Sequence, residues 1–226
     1  IVVLGIIFRV LMLPSVPIHE NDYYRYLWDG KAMKAGVNPF LLEPAAVYMF
    51  ENDIQADVTD PHSGAVYKAR NWNASESAQL EKLVDQKNEN MLLWERIGHK
   101  QIPTIYPPFA QLVFAASSYL FEDSIFGLRI LLLVFDVGCI GLCLALLILL
   151  KRKPNLVIVY AWSPLIIVEI TNSVHYDAVP VFFMLLSICF AIQAKGWLAM
   201  AANALGIVSK YFAGLLVPVF APPNQL

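Results

Sequence analysis

The densest run of residues able to do chemistry is His19-Glu20-Asn21-Asp22-Tyr23-Tyr24-Arg25-Tyr26. It follows an apolar opening stretch, residues 1–13, and combines two carboxylates, a guanidinium and three phenol rings. A carboxylate at Asp22, or at Glu20 in reserve, is a candidate general base for removing a proton from an acceptor hydroxyl. Arg25 follows Asp22 by three residues, which puts the two on one face of a helix. Its planar fork suits a two-point contact with a phosphate. The plainer reading is an interfacial cap, with Asn21 or Asp22 capping a helix and the tyrosines forming an aromatic belt.

A second cluster, Ser173-Val174-His175-Tyr176-Asp177, lies between two apolar stretches, with Glu169 just before it. The spacing of His175 and Asp177 is open to a proton relay, a phosphate contact or a metal. Its plainer reading is a short polar link. Single charges stand inside apolar runs at Arg9, Arg129, Asp136, Glu169 and Lys210. A charge at the centre of a membrane costs about 2.5–3.5 kcal/mol on the insertion scale, so such residues are expected to face a cavity or a partner. For the basic ones the plainer reading is snorkelling, and for Asp136 a hydrogen bond between helices. Lys210 has no acidic neighbour in sequence, and a lipid phosphate would supply the counter-charge. Arg9 is a candidate for the same task near the outer surface.

The elements that would position these groups are read from composition. The chain is 58% hydrophobic and only 15% charged, against about 45–50% and about 25% in ordinary soluble domains. The excess is concentrated in residues 1–13 and 106–221, whereas 15–105 reads as a soluble segment. This predicts an all-α polytopic membrane protein with one large polar loop. Residues 1–13 are expected to be a truncated first transmembrane helix of a longer protein, and 14–105 the loop. Residues 106–226 are expected to form a transmembrane bundle of about five hydrophobic segments, at 106–121, 125–150, 156–170, 178–192 and 197–220. Within the loop, 75–96 reads as an amphipathic helix with Leu80, Leu83, Val84, Met91, Leu92 and Trp94 on one side, and 23–35 as a second helix. Both are expected along the membrane surface, with Trp28 and Trp94 near the interface. Turns are expected at Gly36-Val37-Asn38-Pro39, Asp60-Pro61 and Ser63-Gly64.

The loop holds nine Lys/Arg against thirteen Asp/Glu, while Lys151-Arg152-Lys153 is a short basic link. The positive-inside rule puts that link, with Lys195, in the cytoplasm and the loop outside. Strict alternation then requires one of 106–121 and 125–150 to be re-entrant or bent. Cys139, Cys143 and Cys189 lie in apolar stretches and read as small fillers, not as a disulfide or zinc framework. No basic stripe indicates nucleic acid, and no phosphate-cradling loop, G-x-S-x-G or H-E-x-x-H is present. Asn73-Ala74-Ser75 matches the short glycosylation acceptor pattern.

The run Asn21-Asp22-Tyr23-Tyr24-Arg25-Tyr26-Leu27-Trp28-Asp29-Gly30, with Gly36-Val37-Asn38-Pro39-Phe40 after it, resembles the first outer loop of the GT-C membrane glycosyltransferases. Among them it resembles the polyprenyl-phosphate mannosyltransferase-like proteins. Looser landmarks are Ile105-Tyr106-Pro107-Pro108, Ser163-Pro164-Leu165, Ser173 to Asp177, and Lys210-Tyr211. The resemblance implies a GT-C-like helix bundle in a cell inner or plasma membrane, with the loop extracytoplasmic. It implies a sugar, mannose first among them, moved with inversion from a polyprenyl-phosphate donor to a glycan or glycolipid acceptor. Asp22 would be the base, with Glu20 second. Arg25, His175 and Lys210 would steady the leaving phosphate, and Asp177, Tyr26 and Arg9 are further site candidates. No cofactor is expected; some relatives use a divalent metal, which Asp177 would hold, but none is predicted. The competing expectation is a transporter or flippase with Arg129, Asp136, Glu169 and Lys210 along its path. A non-catalytic membrane scaffold is a third expectation.

Overall fold

Proline, glycine and asparagine cut the apolar and amphipathic runs of this sequence into short helices. The computed structural model describes residues 1–19, 21–61 and 63–220 and is 67% helical. In chain order the helices begin with α1 (Val2–Met12), α2 (Asp22–Lys34) and α3 (Pro44–Glu51). A two-strand ladder follows, β1 (Val58–Thr59) and β2 (Val66–Tyr67), then α4 (Ala74–Glu89), α5 (Met91–Arg96) and α6 (Pro108–Phe121). The rest comprises α7 (Ile125–Leu149), α8 (Ile158–Ala161), α9 (Pro164–Ile166), α10 (Ala178–Ile192), α11 (Gly196–Ile207) and α12 (Val217–Phe220). The chain divides into two units. The first comprises Ile1–Glu20, Tyr106–Ala110 and Ile125–Leu226, and the second Asn21–Ile105 and Gln111–Ser124. The boundary expected from composition stood at 105/106; by packing, most of α6 groups with the loop, because its Gln111 and Phe114 meet α2.

In the first unit, α7 is long and apolar enough to cross a membrane, and among the described residues it is the one unbroken helix that is. Residues 154–161 and 164–172 reach that length only as a pair, bent by 48°. Helices α1, α6, α10 and α11 are apolar but shorter. Within 106–150, where a re-entrant or bent segment was expected, α6 and α7 are each unbroken, α6 with 14 residues, so the bend lies outside that stretch. It falls at Ser163-Pro164, because Pro164 has no N–H to continue the helix and instead occupies the first position of α9. Beyond α9 the backbone widens into a π-turn, Ile167–Asn172, with Ser173 N–H donating to the Val168 carbonyl at 2.9 Å. The stretch expected as 197–220 is likewise interrupted after α11, continuing as a 3-10 turn over Tyr211–Leu216 before α12. The three cysteines are free.

The second unit is organised by α2, which buries Tyr26, Leu27, Trp28, Asp29 and Gly30. Trp28 is 3% exposed, so it does not sit at an interface as expected. The ring of Tyr26 stacks on Phe114 at 4.6 Å. Gly30 permits the close approach, since a Cβ there would lie 2.3 Å from the Phe114 carbonyl oxygen. Gly30→Ala is therefore expected to destabilise the protein by about 1–3 kcal/mol or more through overpacking. Helix propensity alone would stabilise it by about 1 kcal/mol. Thermal unfolding in detergent distinguishes the two signs, and a raised Tm would refute this packing.

Asn73 starts α4 by a capping box: its Oδ1 accepts from Glu76 N–H at 2.9 Å, and Glu76 Oε2 accepts from Asn73 N–H at 3.0 Å. The expected single helix over 75–96 breaks at Asn90, which leaves the helical region and caps α5. The break divides the expected apolar side: Leu80, Leu83 and Leu93 are buried, whereas Met91 and Leu92 are exposed. Gly36, at φ 73°, makes the expected turn. The ladder was not expected; Val58 pairs with Tyr67 and Thr59 with Val66 across the Asp60–Gly64 turn.

Candidate functional site

In the first unit a polar cluster is built from four separate stretches of chain. The π-turn presents Glu169, whose carboxylate receives His19 Nδ1 at 3.2 Å on one oxygen and His175 Nδ1 at 3.1 Å on the other. Two residues after His175, Asp177 Oδ1 accepts from Lys210 Nζ at 2.5 Å. All five side chains are partly exposed.

The backbone under this cluster is strained. Val174, fully buried, has φ 63°, a left-handed conformation that a β-branched residue seldom adopts and that costs on the order of 1–3 kcal/mol. Strain of this kind concentrates at functional sites, as do π-turns.

Asn172 fixes the other wall. Its amide donates to Ser15 Oγ and to the Val16 carbonyl, each at 2.7 Å, and its Oδ1 accepts from Ile18 N–H at 3.0 Å. Arg129 reinforces the same segment by donating to the Leu13, Ser15 and Asn172 carbonyls. His19 thus reaches Glu169 because residues 13–18 are tied to the π-turn.

The expected site residues fall into distinct groups. Lys210 pairs with Asp177, and His175, two residues before Asp177, pairs with Glu169. Lys210 does have an acidic partner, Asp177, which sequence distance concealed. Arg9 is corrected: it is wholly buried and its donors are committed to the protein. Its Nε donates to Asp136 Oδ2 at 2.5 Å, Nη2 to Oδ1 at 3.3 Å, and Nη1 to the Gly5 and Ala161 carbonyls. Tyr160 also donates to Asp136, at 2.9 Å. Arg9 is therefore a packing element, because an unpaired buried guanidinium would be far costlier.

In the second unit, Asp22 is a half-buried residue in the first turn of α2, where the helix dipole favours a carboxylate. Arg25 does not turn toward Asp22. Its Nε donates to Asp29 Oδ1 at 2.8 Å and its Nη1 to the Ile102 carbonyl at 3.1 Å, and it is 7% exposed. Asp29 also accepts from Gln111 at 3.1 Å, and burial pushes its carboxyl above the usual range against the pull of Arg25, Thr104 and Gln111. Arg25 and Tyr26 thus hold α2 in place from inside. Glu20 lies outside the described residues. Glu169 was expected as a charge facing a cavity or partner and on the transporter path, but not as a glycosyltransferase site residue; Asn172 was not expected, and no sequence signal marked it.

Besides a cleft lined by Lys34, Gln86 and Glu122, two adjoining clefts open in the second unit. One, of 460 Å3, lies between Tyr48, Pro61 and Trp94. The other, of 470 Å3, lies beside the start of α2, with Asn21, Tyr24, Arg96 and His99 in its wall. Asp60, Tyr67, Glu95 and Lys100 line both. Tyr24 hydroxyl accepts from Arg96 Nη1 at 2.7 Å. Burial raises the Tyr24 pKa, but the hydrogen bonds with Tyr23 and Arg96 outweigh it and hold the phenol below its usual range.

The described residues form a mostly helical fold in two units, with one helix, or two if the bent pair is a single span, long and apolar enough to cross a membrane. Comparison with family models, curated proteins and solved structures returned no match.

Proposed function

We propose that this protein is a polytopic membrane glycosyltransferase of GT-C type, moving a sugar, mannose first among the candidates, from a polyprenyl phosphate to a glycan or glycolipid on the extracytoplasmic face. The reading rests on the resemblance around Asp22 to Gly30 and Gly36 to Phe40. The observation that carries it is the polar cluster of the first unit. Lys210 and two imidazoles stand there beside carboxylates, on a strained turn flanked by apolar helices. Cations held in place by partners are what a leaving phosphate requires. In this reading Asp22 takes the proton of the acceptor hydroxyl, the hydroxyl oxygen bonds to the anomeric carbon with inversion, and the bond to the phosphate oxygen breaks. Polyprenyl phosphate leaves with the electron pair, steadied by Lys210 and His175. Arg25 keeps α2 in position and is not assigned to the phosphate. No step requires a metal.

The transporter reading relies on charges lining a path. Arg9, Arg129 and Asp136 are instead buried and engaged by groups of their own unit, and of the four path residues and Arg9 only Glu169 and Lys210, themselves paired, are partly exposed.

Lys210→Gln tests the donor assignment. It is expected to reduce kcat/KM for polyprenyl-phosphate mannose by roughly 10- to 100-fold, the worth of one charge-assisted hydrogen bond. The assay is transfer of label in membranes carrying the protein. An unchanged donor KM and kcat would remove Lys210 from the phosphate site.

A further inference from the structure

We propose that the two adjoining clefts of the second unit form one binding subsite for a neutral oligosaccharide. Its assignment as the acceptor glycan rests on the function proposed above; its assignment as a sugar site rests on the clefts themselves. Their volumes, 460 and 470 Å3, fall in the range of small-molecule sites, about 300–1,000 Å3. They share four lining residues, so a chain of sugar units can run from one into the other.

The wall chemistry suits such a ligand. Tyr48 and Trp94 line the first cleft, their centroids 6.4 Å apart and their planes at 28°, and give it apolar surface for the C–H face of a pyranose beside Lys100, whose Nζ lies 5.0 Å from the Trp94 ring centroid. Asp60 and Glu95 accept hydrogen bonds from hydroxyls, and Lys100 donates to them. The set is charge-balanced. Lys100 stands with Asp60 and Glu95 in the shared wall, and Arg96 is bonded to Tyr24. Over the two clefts Lys100 and Arg96 match Asp60 and Glu95 in number, so neither sign of charge dominates and a polyol finds both donors and acceptors.

The polar groups are also held in advance, which lowers the cost of ordering them on binding. Tyr67 hydroxyl donates to Asp60 Oδ2 at 2.6 Å, and Lys100 Nζ donates to the Glu95 carbonyl at 2.7 Å. The Lys100 carbonyl accepts from Ala45 N–H at 2.9 Å, fixing that strand of loop to α3. The second cleft ends at Asn21 and Tyr24, the residues on either side of the Asp22-Tyr23 pair. A saccharide filling the clefts would thus place one end next to the first turn of α2, where the proposed base stands.

The test uses the whole chain in detergent micelles and α-linked mannotriose as probe, read by saturation-transfer NMR without any donor lipid. The expected result is saturation of the trisaccharide ring protons, and at least about tenfold weaker binding in Glu95→Gln/Lys100→Gln, as for the loss of one or two polar contacts. Trp94→Leu is expected to weaken binding comparably, while Glu95→Gln alone, at an exposed residue, serves as the variant least able to disturb folding. Binding unaltered in all of these variants, or no saturation of mannotriose, maltotriose or chitotriose by the folded wild type, would overturn the subsite. Saccharide binding without sugar transfer would count against the reaction alone. Transfer without saccharide binding would count against the subsite alone.

Discussion

Asp22→Asn is expected to lower sugar transfer by roughly 10²- to 10⁴-fold, the usual contribution of a positioned general base, while leaving the protein folded. The carboxylate sits in the first turn of α2, and an amide of the same shape there changes the dipole interaction by no more than about 1 kcal/mol. The buried face of α2, carrying Tyr26, Trp28, Asp29 and Gly30, is untouched by the change. Far-UV circular dichroism and Tm should therefore be near those of wild type. If transfer survives in Asp22→Asn and collapses in Glu20→Gln, the base is Glu20 and the mechanism otherwise stands.

The second large effect concerns the fold of the first unit. Arg9→Met or Asp136→Leu alone is expected to destabilise the protein by about 3–5 kcal/mol, since each leaves the opposite charge buried without its partner. Asp136→Leu also strands the Tyr160 hydroxyl. The double variant Arg9→Met/Asp136→Leu is expected to be much less destabilised than the sum of the two, giving a coupling energy on the order of 1–3 kcal/mol. Thermal unfolding of the four proteins in one detergent measures this cycle. Additive effects would show that the two residues do not act as a pair.

Sequence periodicity located most helices to within a few residues. The apolar runs at 125–150 and 178–192 became α7 and α10, and the amphipathic signal at 23–35 became α2. Gly36 was legible because only glycine adopts φ 73° without cost. The π-turn was not legible, since a widened turn differs from an α-helix by one shifted hydrogen bond and has no residue signature. Nor was Arg9–Asp136, because a partner 127 positions away is chosen by packing and not by local pattern. Arg25 illustrates the same limit at short range. Asp22 at i−3 and Asp29 at i+4 both suit an ion pair, and the inward-facing side of α2 selected Asp29. For the site, His175, Asp177 and Lys210 were named from polar residues in apolar surroundings, and the fold pairs Lys210 with Asp177 and His175 with Glu169. Glu169, which joins His19 to His175, needed the three-dimensional arrangement to be recognised.

The most direct test of the proposed function is transfer from radiolabelled polyprenyl-phosphate mannose in sealed vesicles carrying the protein, with bond cleavage and transbilayer movement followed separately. The account predicts that label leaves the polyprenyl lipid and appears covalently on a glycan or glycolipid acceptor, and that Asp22→Asn abolishes this. Intact labelled lipid or sugar crossing the bilayer with no sugar–phosphate bond broken, at the same rate in wild type and Asp22→Asn, would contradict it and establish transport instead.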